Sequence, residues 1–161
     1  MIDHLEFRVY GVPKPGGSKR AFQIPTTKRI VIVDACKKNK EWRKEVVDWL
    51  VKSGERRLLE GALRLACEFI MPRPKSHYGT GRNIHSLKKG APEHHLQKPD
   101  LTKLLRSTED ALTGHLWKDD CQVVCHGEDM KKRWANLNEQ PGAIVRVEQI
   151  ESNKAPIYAS R

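Results

Sequence analysis

Apolar residues change their spacing several times along this chain, and each change marks an element. In HLEFRVYGV (4–12) they alternate with polar residues, which predicts a strand with one face against a core. PKPGGSKRAFQIPTTK then reads as a loop rich in proline, glycine and cations, and RIVIVDA as a second short strand. From about Lys38 to Lys52, Trp42, Val46, Trp49 and Leu50 recur at helical spacing, and Gly54 supplies a stop. ALRLACEFIM (62–71) is a nearly continuous apolar run bounded by polar residues, the pattern of a buried strand.

Residues 72–99 show little apolar period and read as a long loop or arm, and a connection of that length is more often functional than idle. A helix is predicted from about Leu101 to Thr113, closed by Gly114. HLWKDDCQVVCHGE reads as turn and strand, and GAIVRVEQI (142–150) as a last strand. No internal repeat interrupts this order. Strands mixed with two helices predict an α+β fold: one small domain over residues 1–152, with a mixed sheet and two main helices. Residues 153–161 are expected to form a flexible tail.

Charge adds the first hint of a partner. The chain carries 30 Lys and Arg against 20 Asp and Glu, a formal net charge of +10. A field of that sign attracts polyanions, although a basic composition also serves solubility alone. No apolar run approaches the roughly 20 residues of a membrane span, so no membrane association is expected. The opening MIDHLEFRVYGV lacks the order of a secretory signal, and a cytoplasmic location is expected. Four scattered cysteines suit a reducing compartment better than a disulfide scaffold. Cys121, Cys125 and His126 are of zinc-binding types, but C-x3-C-H has no second pair to complete it. On a strand the two cysteines would share a face as small core residues.

Two further segments invite chemistry. GVPKPGGSKR begins like a phosphate loop, yet Gly17 stands where that motif demands lysine, so no nucleotide cofactor is expected. Gly16, Gly17, Lys19 and Arg20 suit either a close approach to phosphate or an ordinary surface turn. KPDLTKLLRSTEDALTGHLWKDD (98–120) sets five carboxylates into this basic chain. On a helical wheel Leu101, Leu104, Leu105, Thr108 and Leu112 form the core stripe, while Thr102, Arg106 and Glu109 share a second side. An amphipathic helix explains much of this, with Asp100 capping its start and Arg106 pairing Glu109. The adjacent Asp119 and Asp120 repel each other unless a cation lies near. If Asp100 and Asp120 converge, they supply hard oxygen ligands for magnesium or manganese, which can activate water against a phosphodiester.

The order KPDLTKLLRSTEDALTGHLWKDDCQVV resembles the core motif of the RusA-type endodeoxyribonucleases, the phage and prophage Holliday-junction resolvases. GVPKPGGSKR resembles that family's N-terminal basic loop, and PRPKSHYGTGRN an arm of its phage members. The likeness covers most of residues 5–150. It implies a RusA-like fold and a magnesium-dependent endonuclease (manganese also serving) that nicks four-way or branched DNA symmetrically. It also implies a homodimer acting in bacterial cytoplasm. Asp100 and Asp120 match the metal-binding aspartates, and Arg106 the basic position near the scissile phosphate. Asp110 matches a structural position and Asp119 the motif's other aspartate. Thr102 departs from the pattern, since the family usually has aspartate there. One expected charge is therefore missing, and a DNA-binding protein with weakened or lost cleavage is the alternative. For DNA contacts the reading selects Lys14, Lys19, Arg20, Arg73, Lys75, His77 and Arg82, whose phosphate contacts would position a duplex without reading its sequence. Tyr78 suits either stacking on an unpaired base or core packing.

Overall fold

The continuous apolar run of residues 62–71 becomes the spine of the protein. The computed structural model describes residues 4–17, 19–34 and 36–151, so the expected tail 153–161 lies outside the described residues. The strands are β1 (His4–Tyr10), β2 (Lys19–Gln23), β3 (Ile30–Asp34), β4 (Ala62–Met71), β5 (Val123–His126), β6 (Lys131–Trp134) and β7 (Gly142–Ile150). The helices are α1 (Asn39–Lys52) and α2 (Leu101–Leu112).

In the main sheet β1 pairs with β7 and β7 with β4, both antiparallel, while β5 and β6 both run parallel to β4 along its other edge. A central strand is buried on both faces, which is why β4 reads as a run rather than an alternation. Every residue from Leu65 to Met71 is buried. Even Glu68 lies inside, where Arg133 and Lys131 hold its carboxylate. Burial pushes that carboxyl upward, and the two cations outweigh burial and leave it below its ordinary value.

Both helices join this core. Trp42, Val46 and Leu50 of α1 and Leu104, Leu105, Ala111 and Leu112 of α2 are buried in the same cluster as Phe69, Val145 and Val147. Two polar contacts fix the helices together: Trp42 Nε1 donates to Thr108 Oγ1 at 3.2 Å, and the Ser107 hydroxyl donates to Asn39 Oδ1. The single mixed-sheet α+β domain expected from the sequence is what forms.

The structure corrects the sequence reading at several points. Lys19–Gln23, read as loop, is β2, paired residue for residue with β3 from Lys19↔Asp34 to Gln23↔Ile30. Lys131–Trp134 is a strand the pattern did not announce. Cys121 belongs to the turn Asp120–Gln122 and is exposed, so it shares no strand face with Cys125. The stretch 72–99 is less loose than its composition suggests, because it wraps Trp134. His95 lies tilted against that indole at 4.2 Å, His77 meets it edge-on at 5.1 Å, and Trp134 Nε1 donates to the His94 carbonyl at 3.1 Å. Lys132 Nζ then donates to the carbonyls of Gln97 and Pro99, each at 2.7 Å, and so pins the entry into α2.

Candidate nucleic-acid and metal site

The second half of α2 forms the floor of a cleft of about 440 Å³, lined by Gly17, Lys19, Arg43, Arg106, Asp110, Thr113, Asp119 and Asp120. Four separate segments meet here. Helical spacing puts Arg106, Asp110 and Thr113 on one side of α2. Arg43 arrives from α1 and donates to Asp110 Oδ2. Gly16 and Gly17 reach α2 from the N-terminal loop, with the Gly16 N–H donating to the Lys103 carbonyl at 2.8 Å. Gly17 has φ +79°, and a side chain there would stand 2.8 Å from Arg106 Cδ. The loop therefore lies directly on the Arg106 side chain, and its left-handed backbone at Gly17 favours glycine.

The turn after α2 delivers the paired aspartates. Asp119 accepts from the Cys121 N–H at 2.9 Å, while Gln122 Oε1 accepts from the N–H groups of Lys118 and Asp119. Gln122 also donates to the carbonyls of Leu59 and Gly61, so the turn is tied to the segment entering β4. The hydrogen bond from the Cys121 N–H holds the Asp119 carboxyl below its ordinary range. Behind the cleft, Glu109 is half-buried and meets His126 Nε2 at 3.7 Å. Burial raises the Glu109 carboxyl, the charges of Asp120 and Asp110 add to this, and His126 opposes it. Glu109 thus pairs with His126 and not, as the wheel suggested, with Arg106.

Of the residues selected from sequence, Arg106, Asp110, Asp119, Asp120 and Lys19 come together in this cleft. Asp100 does not. It stands exposed at the start of α2, makes no capping hydrogen bond, and instead meets Lys103 Nζ at 3.3 Å. Asp110 is ten residues further on, roughly 15 Å of helical rise. Asp120, the other aspartate expected to share an ion, lines the cleft beside Asp110, and Asp100 is not part of that lining. Thr102 is exposed in the first turn of α2. Among the described residues, no group of three or more His, Cys, Asp or Glu side chains is placed to hold a metal ion.

The proposed DNA contacts divide. Arg20, Lys75 and Arg82 are exposed, and Lys14 lines a groove with Pro13, Pro72 and Pro99. Arg73 and His77 are engaged within the protein: the Arg73 guanidinium lies 5.6 Å from the Trp134 ring centre and donates to the Pro92 carbonyl, and His77 packs on the same ring. Tyr78 is half-buried and bridges to Leu87. Sequence reasoning missed Arg43, because nothing in the α1 pattern shows that its polar side faces Asp110.

The cleft sets three cations, Lys19, Arg43 and Arg106, against three carboxylates, Asp110, Asp119 and Asp120, on an α+β frame. The family described as Endodeoxyribonuclease RusA matches residues 14–148, most of the sequence. This chain belongs to the RusA endodeoxyribonuclease family. No curated protein matches it. Members of this family are junction-resolving endonucleases and generally depend on metal. No helix among the described residues is long and apolar enough to cross a membrane.

Proposed function

We propose that this protein is a divalent-metal-dependent endodeoxyribonuclease that binds branched DNA, four-way junctions above all, as a homodimer and nicks it symmetrically. One observation carries the reading beyond family membership: Arg106 and Asp120 line the same cleft as Lys19 and Arg43, which come from segments distant along the chain. Arg106 would stabilise charge developing on the phosphate, where a guanidinium can bond two oxygens at once. Arg43 and Lys19 add positive potential at the same place, and Arg43 also restrains Asp110.

The fit of a metal can be judged from the carboxylates. Asp110 accepts from Arg43 and Asp119 from the Cys121 N–H, so Asp120 is the carboxylate we assign to an ion in the cleft. Magnesium keeps several waters and commonly takes one or two carboxylates plus substrate phosphate, so Asp120 suits it without a full protein cage. Bound there, it would lower the pKa of a water and polarise the phosphodiester. Asp100, assigned to metal by resemblance, is not among the residues lining the cleft and stands beside Lys103 at the start of α2. The exposed cations Arg20, Lys75 and Arg82, with the half-buried Lys14, would hold the arms of the junction through phosphates, with Arg73 and His77 bracing the loop that presents Lys75 and Arg82.

Asp120→Asn is expected to reduce magnesium-dependent nicking of a synthetic junction at least 10²-fold while leaving junction binding measurable. Unchanged nicking would remove Asp120 from the chemistry. The companion Asp100→Asn locates the ion: retained nicking confines it to the cleft, whereas a matching loss brings Asp100 to it from elsewhere. A second reading, binding without cleavage, rests on Thr102 replacing a usual aspartate. A junction shift with no nicks in either magnesium or manganese would favour it.

A further inference from the structure

The N-terminal loop and the 72–99 stretch enclose a groove of about 460 Å³, separate from the acidic cleft. Met71 and Trp134, paired at the ends of β4 and β6, line it together with Pro13, Pro15, Pro72 and Pro99. Proline has no backbone N–H, so these walls present apolar surface and few donors. Lys14, Lys98, Gln97 and His95 supply the polar groups, and no carboxylate is among the lining residues. The walls are held in place. Lys132 Nζ donates to the carbonyls of Gln97 and Pro99, Arg73 donates to the Pro92 carbonyl, and His95 lies against the Trp134 indole. A preformed, largely apolar groove with a few placed polar groups has the make-up of a ligand site. Between His95 and Gln97, Leu96 stands 88 % exposed. Groove and cleft also share one loop: Pro15 lines the first and Gly17 the second, and two residues span at most ~7 Å.

We propose that this groove receives one unpaired nucleobase from the branch point of the DNA, with Lys14 and Lys98 on the adjoining phosphates. The proposal rests on the reading of the protein as a branched-DNA endonuclease, and it adds a means of choosing branched over linear DNA. A nucleotide joins a flat apolar ring to an anion, and the groove offers the matching pair: apolar walls and two cations. Gln97 carries both a donor and an acceptor for a base edge. Extruding a base costs unpairing and unstacking, and the cost is least where pairing is already interrupted. A pocket for a free base therefore favours a branch point over a continuous duplex. The exposed Leu96 suits the same event, since apolar side chains wedge between partly unstacked base steps. Because the shared loop is so short, a base in the groove lies close to a phosphate in the cleft. An apolar peptide is the less suitable occupant, because it would leave the two lysines unmatched.

Binding measured in chelator tests this apart from cutting. Fluorescence anisotropy would compare a four-way junction, the same junction with an abasic nucleotide at each position flanking the branch point, and a linear duplex. For the wild type, one abasic position should weaken junction binding roughly ten-fold. Val12→Trp fills the groove from a position 39 % exposed. It should weaken the intact junction by a similar factor and remove the sensitivity to the abasic nucleotide. Leu96→Ala should narrow the preference for junction over duplex several-fold. Circular dichroism should show the variants folded; if Val12→Trp does not fold, Gln97→Glu, at an exposed lining residue, carries the same test by placing a carboxylate in the groove. A junction bound equally well whichever position is abasic, or a folded groove variant that still senses the abasic nucleotide, overturns the proposal. Either result would leave the groove to an apolar peptide and the nuclease reading intact. Equal weakening of junction and linear duplex by Val12→Trp would make the groove a phosphate contact and overturn the proposal as well. A wild type that binds no DNA fails the nuclease reading and this proposal together.

Discussion

Replacing Gly17 by alanine perturbs the cleft at a single atom, and the structure allows its consequences to be separated. The backbone there has φ +79°, a left-handed conformation that costs an L-residue with a side chain roughly 1–2 kcal/mol. The added carbon would also stand 2.8 Å from Arg106 Cδ and 3.1 Å from Nε. Ordinary carbon contacts lie at ~3.5–4.0 Å, so the guanidinium stem must retreat by roughly an ångström. Gly54→Ala is the matched control: its φ is +87°, with nothing within 4 Å of the new carbon. Both variants should lose about 1–2 kcal/mol in urea unfolding, a midpoint shift of roughly 0.5–1 M at an ordinary slope. Only Gly17→Ala should also lose nicking, about 10²-fold, if Arg106 holds the phosphate as proposed, because displacing such a group by about 1 Å has effects of that size. The reasoning is refuted if the two variants unfold alike and also nick alike, for Arg106 would then not depend on the glycine loop for its position.

Other consequences follow from the ion pairs and the charge. The Arg133 guanidinium beside Glu139, helped by the Asn136 N–H and by Arg8, holds that carboxyl down at about 2. A depressed carboxyl stabilises the fold above its unfolded value of 4.5, and this contribution is lost as pH falls from there toward 2. Glu139→Gln should therefore cost about 1–2 kcal/mol at neutral pH, allowing for screening, and the deficit should vanish near pH 2. A deficit equal at both pH values in chemical unfolding would contradict this. Junction affinity should fall with salt at a log–log slope of about 0.9 per phosphate contacted. Lys75→Ala and Arg82→Ala should each reduce that slope by about one contact, and a flat response in the wild type would remove the phosphate contacts altogether.

Much of this frame was legible in the sequence. The run at 62–71, the alternation at 4–12 and the helical stripe from Leu101 to Leu112 each have one period and one partner surface, so pattern alone located them. β2 and β6 were harder to see for a common reason. KRAFQ and KKRW carry few buried residues, and both are strands because of a neighbour: β3 for the first, β4 for the second. The acidic motif was visible, but its geometry was not. A wheel shows that Arg106 and Glu109 share a side, yet it cannot show Gly17 lying over one and His126 meeting the other. Nor does any linear spacing reveal that Asp120 lines one cleft with Asp110 and Thr113, since the turn around Gln122 decides that.

The most direct test is to incubate the purified protein with a four-way junction and with a linear duplex of the same sequence, in magnesium, in manganese and in chelator. The account predicts paired, symmetric nicks in the junction alone, present with either metal and absent with chelator. Cleavage that persists in chelator, or equal cutting of the linear duplex, would contradict it.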